Sequence, residues 1–220
     1  MKNVTLTNLL ANGGTGYPPN GGSSGGTTNI ASSPIPPGDS CTKCLYITPN
    51  AGSQEYYRMS TPSQSLNPSH IYYFSFKVYY PGSVNGSFDF YWPVAEPPGA
   101  SGLKATQAKT WTRLSARFGR TQFSSGKQQC RWDYNCNGAQ VGINATSFML
   151  IDLTAAFGSG LEPSKEWCDE HIAWFDSTAN VSVYENLKEL FDDIADAIRS
   201  KSGGSAKVLA CDFPSRIRSL

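Results

Sequence analysis

The residues best equipped to recognise a ligand sit in the middle of the chain. Tyr73, Tyr79, Tyr91 and Trp132 are aromatic side chains at strand positions expected to point away from a core. Asp89, Arg113, Arg117 and Gln129 bring hydrogen-bonding groups to the same stretches. Aromatic faces stack on the apolar face of a sugar ring, and carboxylate, guanidinium and amide groups bind its hydroxyls. This set of residue types therefore matches a carbohydrate. The same residues also make ordinary cross-strand pairs, each worth about 0.2–1 kcal/mol, or a subunit interface, where aromatics are enriched too. Pairing or interface is the preferred reading, and the alternatives stay open at this point.

Covalent chemistry finds less support. His70 opens a strand-like run, and His171 lies in Asp169-Glu170-His171, where adjacent helical positions face different ways. Neither histidine accompanies a nucleophile-elbow pattern. Asp192 and Asp193 fall on a solvated helix face, whereas glycosidic cleavage needs two carboxyls across one cleft. Gly21–Gly26 lacks the Lys-Ser/Thr completion of a phosphate loop. The chain is therefore expected to be non-enzymatic. Cys41 and Cys44 form a C-x-x-C, and with Cys130 and Cys136 they could make a four-thiolate zinc site. Local disulfides fit an oxidising compartment. Reduced, small apolar thiols packed into the fold are the preferred reading. Cys168 and Cys211 point to nothing specific.

Composition narrows the partners. Formal net charge is +1 over 220 residues, so no strong field draws the chain to nucleic acid or an anionic membrane. No apolar run approaches the roughly 20 residues that span a bilayer. The opening MKNVTLTNLL carries no small-residue cleavage site and is not read as a secretory signal. With Gly 21 and Pro 14, turns are favoured over helices.

The elements that position the aromatics are strands. His70–Tyr80 gives the strongest strand signal, with Tyr72, Phe74, Phe76 and Val78 on a core face and Tyr73, Ser75, Lys77 and Tyr79 on the other. Ser87–Val94 sets Phe88, Phe90 and Trp92 against Asp89 and Tyr91. Thr110–Phe118 sets Leu114, Ala116 and Phe118 against Trp111, Arg113, Ser115 and Arg117. Gln128–Tyr134 and Ala139–Ile143 read as a hairpin. Thr146–Gly160 reads as a buried strand with a glycine exit that closes the domain. Val4–Leu10, Cys44–Thr48 and Glu55–Met59 are further strands. Residues 13–33 are too poor in apolar side chains to fold alone and read as an extended arm or loop. About nine short strands between turns predict a mainly β protein, a jelly-roll β-sandwich over residues 1–160.

Residues 161–220 change character and read as a small helical C-terminal region. Glu166–Trp174 is a short helix behind Pro163, and Ser177–Ser182 is a linker. Val183–Ser200 is amphipathic, with Leu187, Leu190, Phe191, Ile194 and Ile198 on one face. Phe213 and Ile217 continue the apolar character into a final turn. At roughly 25 cal/mol per Å² of apolar burial, leaving this stripe in water forfeits several kcal/mol. These residues are therefore expected to form an assembly interface, with the sandwich, a second copy or another protein.

Two groups of segments resemble bacteriophage proteins. Asn8–Gly13 (NLLANG), His70–Tyr80, Trp111–Ser115 (WTRLS) and Met149–Gly158 are similar to the carbohydrate-binding-module type of jelly roll found in phage and prophage virion proteins. The continuation Gly160-Leu161-Glu162-Pro163 is similar to a segment of tail and fibre proteins from phages of Gram-positive hosts. Leu190–Arg199, followed by Asp212–Ile217 (DFPSRI), resembles a short module repeated in phage structural proteins. Residues 13–33 depart from the pattern, which usually has a strand-forming sequence with an acidic residue after Asn-Gly.

The resemblance implies a non-enzymatic virion structural protein that displays its jelly roll and is anchored through the C-terminal module or the N-terminal arm. Tail fibre or baseplate is favoured over capsid decoration or head fibre. The implied partners are other virion proteins, further copies of the chain in a homo-oligomer, a trimer by preference, and a host-surface glycan. The implied location is the virion, assembled in the bacterial cytoplasm. The alternative is a receptor-binding adhesin of the host carbohydrate surface. Jelly rolls of this type often hold structural calcium, for which Asp152 together with backbone carbonyls is the candidate site, unless Asp152 caps the following turn.

Overall fold

The computed structural model describes residues 2–19, 22–50, 55–60, 64–91, 98–119, 126–183, 194–197 and 200. The chain divides into two units, Met1–Val4 with Asn180–Leu220, and Thr5–Ala179. The strands in chain order are β1 (Lys2–Thr7), β2 (Gly22–Ser24), β3 (Gly26–Ala31), β4 (Cys44–Pro49), β5 (Glu55–Ser60), β6 (Gln64–Leu66) and β7 (Ile71–Tyr79). They continue with β8 (Ser87–Tyr91), β9 (Pro98–Leu103), β10 (Thr112–Gly119), β11 (Gly126–Gln128), β12 (Arg131–Asn135), β13 (Ile143–Asp152) and β14 (Thr178–Val183). Two short helices, α1 (Leu153–Phe157) and α2 (Lys165–His171), lie between β13 and β14.

Two five-stranded antiparallel sheets form a β-sandwich of jelly-roll type. The first has the order β10-β7-β13-β4-β3 and the second β2-β5-β12-β8-β9. Period-two alternation explains the layers, because each strand hands every second side chain to the space between the sheets. From β7 these are Tyr72, Phe74, Phe76 and Val78, and from β8 they are Phe88 and Phe90, all buried. Phe74 stacks on Phe90 across the sandwich with ring centroids 3.8 Å apart, and Phe76 stacks on Phe148 at 5.1 Å. Leu114 and Phe118 of β10 join the same core. β13 is buried from Ile143 to Ile151, as its apolar run implies for a central strand.

Several expectations are corrected. Residues 13–33 are not merely an arm. β2 pairs with β5 and β3 with β4, so this stretch supplies an edge strand to each sheet. An edge strand needs ladder hydrogen bonds more than apolar faces, and Gly and Thr suffice there. Gly25 alone separates β2 from β3 at φ +81°, a value that favours glycine. The hairpin expected across Asn135–Gly138 is absent. β12 pairs with β5 and β8 in the second sheet, whereas Ile143 opens β13 in the first. Of the expected linker Ser177–Ser182, all but Ser177 lies within β14, which pairs with β1.

The boundary expected after Gly160 is also corrected, because residues 161–179 belong to the same compact unit as the sandwich. They form a strap over the outer face of the first sheet. Asp152 caps α1 by accepting from the Ala155 N–H, and Ser164 caps α2 by accepting from the Trp167 N–H. Cys168, Ile172 and Trp174 are buried in the strap. Arg113 Nη1 and Nη2 donate to the carbonyls of Asp169 (2.8 Å) and Ile172 (2.5 Å), and Arg117 Nε donates to that of Pro163 at 2.9 Å. Buried Asn8 locks the strap to β13. Its amide donates to the Phe148 and Phe175 carbonyls, and its oxygen accepts from the Leu10 and Leu150 N–H groups. Every polar atom of that side chain is thereby satisfied.

In the other unit, Ser182 Oγ donates to Asn3 Oδ1 at 3.0 Å, and residues 194–197 are helical with Ala195 buried. Among the described residues no helix is long and apolar enough to cross a membrane.

Candidate functional site

The strap leaves part of the first sheet uncovered, and there the register assembles a row of aromatics. Tyr79 of β7 pairs with Asn144 of β13, Asn144 pairs with Tyr46 of β4, and Tyr46 pairs with Asn29 of β3. On the other flank Trp111, immediately before β10, stands against Tyr79 with ring centroids 5.5 Å apart. Cross-strand partners share a face, so Trp111, Tyr79, Asn144 and Tyr46 form one line across the strands at steps of about 4.8 Å. The three rings are half-buried, presenting part of their surface to solvent. Asn144 is buried between them and donates to Cys44 Sγ at 3.4 Å. Next along the same face, Lys77 pairs with Asp39 at 2.8 Å, and Asp39 also accepts from Ser147 Oγ at 2.5 Å.

The covered part of the same face holds Tyr73, Arg113 and Arg117. Tyr73 points outward as expected but is buried beneath α2, where its hydroxyl donates to Asp169 at 2.7 Å. Burial pushes the Tyr73 hydroxyl well above its usual range. Asp169 also accepts from Lys165 Nζ at 2.6 Å. Burial disfavours its charge, but hydrogen bonds from Lys165, Ser115 and Tyr73 outweigh this and hold the carboxyl below its ordinary value. Arg113 and Arg117 are engaged with the strap, as described above.

The remaining nominated residues belong to the second sheet. Trp132 was expected outside and is instead in the core, 1% exposed, packed against Tyr57 and Phe76. The face of β12 is reversed from that expectation, and it is Arg131, Asp133 and Asn135 that turn outward. Asp133 is held by Arg131 at 2.8 Å and Arg58 at 3.3 Å, and the Arg131 guanidinium lies 3.7 Å above the Tyr91 ring. Tyr91 therefore already carries a stacking partner, a cation–π contact. Asp89 Oδ1 accepts from the Gly102 N–H at 2.8 Å. Gln129 is half-buried just before β12. The eight nominated residues thus divide between opposite faces and the core. Tyr79 is the one that joins an open aromatic row. Trp111 lies on the face its alternation predicts, and Tyr46 and Asn144 join the row through strand register alone.

The other candidates resolve as follows. Cys41, Cys44, Cys130, Cys136 and Cys168 are buried thiols. Cys130 and Cys136 belong to the core between the sheets, and Cys44 lies on the outer side of the first sheet, so a shared zinc site is not formed. Desolvation raises the Cys136 thiol to about 11 and that of Cys168 to about 12. Asp152 Oδ1 accepts from Ala155 N, and its Oδ2 lies 2.7 Å from His70 Nδ1. Calcium requires six to eight oxygens. Among the described residues no group of three or more His, Cys, Asp or Glu side chains gathers around Asp152, so a calcium ion there would draw most of its oxygens from backbone carbonyls. His171 stacks on Trp167 at 4.5 Å. Of the apolar stripe, Ile194 is half-buried, while Leu187, Leu190, Phe191, Ile198, Phe213 and Ile217 lie outside the described residues.

No family model matches the chain, and neither does any curated protein. Among solved structures it is similar to an arabinose-bound GH51 α-L-arabinofuranosidase, with a TM-score of 0.52 and 16% identity over 76% of this chain and 29% of that one. It is also similar to the C-terminal CBM6 of LamC from Zobellia galactanivorans, at TM-score 0.41 and 15% identity, covering 69% of this chain and 99% of that one. A third is the CBM22-1 xylan-binding domain of Paenibacillus barcinonensis Xyn10C, at TM-score 0.42 and 13% identity, covering 67% and 92%. The chain spans less than a third of the arabinofuranosidase, and at such identity the likeness is one of fold, a jelly-roll β-sandwich.

Proposed function

We propose that this chain is a non-enzymatic bacteriophage virion protein that displays its sandwich on the particle and contacts host-surface glycans with it. The observation that carries the glycan reading is the row Trp111–Tyr79–Tyr46 on the uncovered part of the first sheet. Aromatic side chains with one wet face suit a ligand whose rings have apolar faces and polar rims. A saccharide laid across the strands meets such rings at the spacing of the sheet.

The virion reading is supported by the resemblance of Met149–Gly158, Leu190–Arg199 and Asp212–Ile217 to phage structural segments. A tail or baseplate position suits them best. In this reading Leu187, Leu190, Phe191, Ile194, Ile198, Phe213 and Ile217 bind other virion proteins or further copies of the chain, with a trimer as the preferred oligomer. A dedicated receptor-binding adhesin is the second reading, favoured by the same row.

Host cell-wall pull-down and a glycan array test the binding. Trp111→Ala or Tyr79→Ala should each weaken retention by about tenfold, the equivalent of one lost aromatic contact. Immunogold labelling of purified particles tests the display. No retention on any glycan overturns the first part, and particles free of the chain overturn the second. No product release from the wall is expected.

A further inference from the structure

At the edge of the first sheet β10 borders a cleft of about 480 Å³, whose nearest lining residue to Trp111 in the chain is Arg113. Leu103 and Lys104, Arg113 and Ser115 of β10, and Lys165 and Asp169 of α2 line it. Arg113 follows Trp111 by two residues on the same side of the strand, about 7 Å along it. Three cations and one carboxylate therefore line a recess adjoining the aromatic row.

The carboxylate is already occupied, since Asp169 accepts from Tyr73 and Lys165. The cations are not all balanced. The terminal nitrogens of Arg113 donate to two backbone carbonyls, which orient the guanidinium without cancelling its charge. Lys104 is exposed and makes no ion pair among the described residues. The cleft thus retains a net positive charge in a chain whose overall charge is only +1, and part of that charge comes from a guanidinium held in place beforehand.

We infer that this cleft receives an anionic substituent of the glycan lying on Trp111, a carboxylate or a phosphodiester, so the ligand class is an acidic polysaccharide. The inference rests on the glycan reading above and adds the charge of the ligand to it. The row supplies contacts to the sugar rings, and the cleft selects the acidic repeat. Because the outer part of the cleft is solvated, the selective part of the binding is screened by salt.

The test is affinity electrophoresis of the full chain through polygalacturonate, through poly(glycerol phosphate) and through neutral xylan, at low and high salt. At least one anionic polymer should retain the native chain about tenfold more strongly than xylan. Lys104→Glu should abolish that margin while leaving xylan retention unchanged, and Trp111→Ala should weaken both. The polymer that shows the margin identifies carboxylate or phosphodiester as the group bound. Equal retention by neutral and anionic polymers overturns the inference and leaves the glycan reading standing. So does anionic retention that Lys104→Glu does not change. No retention by any polymer overturns the glycan reading, and this inference with it.

Discussion

The Tyr73 hydroxyl donates to the Asp169 carboxylate at 2.7 Å, joining residues 96 positions apart. This bond fastens α2 to the first half of β7, on the covered part of the first sheet. Without the strap, Tyr73, Met149 and Ile151 would face water; with it, each is 0% exposed. The aromatic row begins where this cover ends.

Removing the hydroxyl isolates the bond. Tyr73→Phe keeps the ring and its packing but leaves Asp169 with one donor fewer. A hydrogen bond to a charged group is worth about 1.5–3 kcal/mol, and a loss of that size is expected. It should appear as a lower denaturant midpoint with an unchanged slope. A midpoint equal to that of the native chain would mean that Lys165 and Ser115 hold Asp169 by themselves.

The same carboxylate gives the strap a dependence on acid. Its folded pKa lies below the ordinary value of 3.8. The ionised form is thus favoured by folding, and its contribution is fully present above the unfolded value. It is lost as pH falls through the folded value. The hydrogen-exchange protection of α2, taken relative to the intrinsic rate at each pH, should therefore fall below about pH 4, and Asp169→Asn should remove that step. A fall in protection unchanged in Asp169→Asn would assign it to another group.

Truncation tests where the sandwich ends. A chain stopped after Gly160 loses α2 and the buried Cys168, Ile172 and Trp174, leaving Tyr73, Met149 and Ile151 uncovered. It is expected to bind a hydrophobic dye and to aggregate. A chain stopped after Ala179 keeps the whole Thr5–Ala179 unit and should unfold in one cooperative transition. Equal stability of the two would remove the strap from the account of the fold.

Much of this fold was legible in the sequence because β alternation is a local signal. Tyr72, Phe74, Phe76 and Val78 declare their face within one strand, as do Leu114, Ala116 and Phe118 in another. The signal weakens in short strands. RWDYN has two aromatics on one side and three polar residues on the other, yet so short a run does not by itself say which side meets the core. Register and cover are not local at all. Nothing near Tyr46 in sequence announces that Asn144 and Tyr79 complete its row. Nothing near Tyr73 announces that Asp169 closes over it. The edge strands of residues 13–33 escaped notice because a polar edge needs no apolar pattern.

Trp132 measures the corrected assignment directly. A buried Trp replaced by Ala costs about 3–5 kcal/mol, against about 0.5 kcal/mol or less for an outward aromatic without special contacts. Trp132→Ala should therefore lower the thermal midpoint sharply or prevent folding. Tyr79→Ala should leave the core intact and act on binding. The reverse order in thermal scans would place Trp132 outside the core.

Gly142 offers a way to move Tyr46 without deleting it. A Cβ built on Gly142 would come within 2.5 Å of Tyr46 Oη and 3.0 Å of Cζ, and the three closest atoms all belong to that side chain. Gly142→Ala therefore forces the ring to swing and meets no backbone obstacle. The cost to stability should stay below about 1 kcal/mol, because a surface ring can turn more cheaply than a core can repack. Glycan retention should fall in the same direction as in Tyr46→Ala, since the ring no longer lies in line with Tyr79 and Trp111. Retention unchanged in both variants, alongside a loss in Trp111→Ala, would shorten the platform to Trp111 and Tyr79.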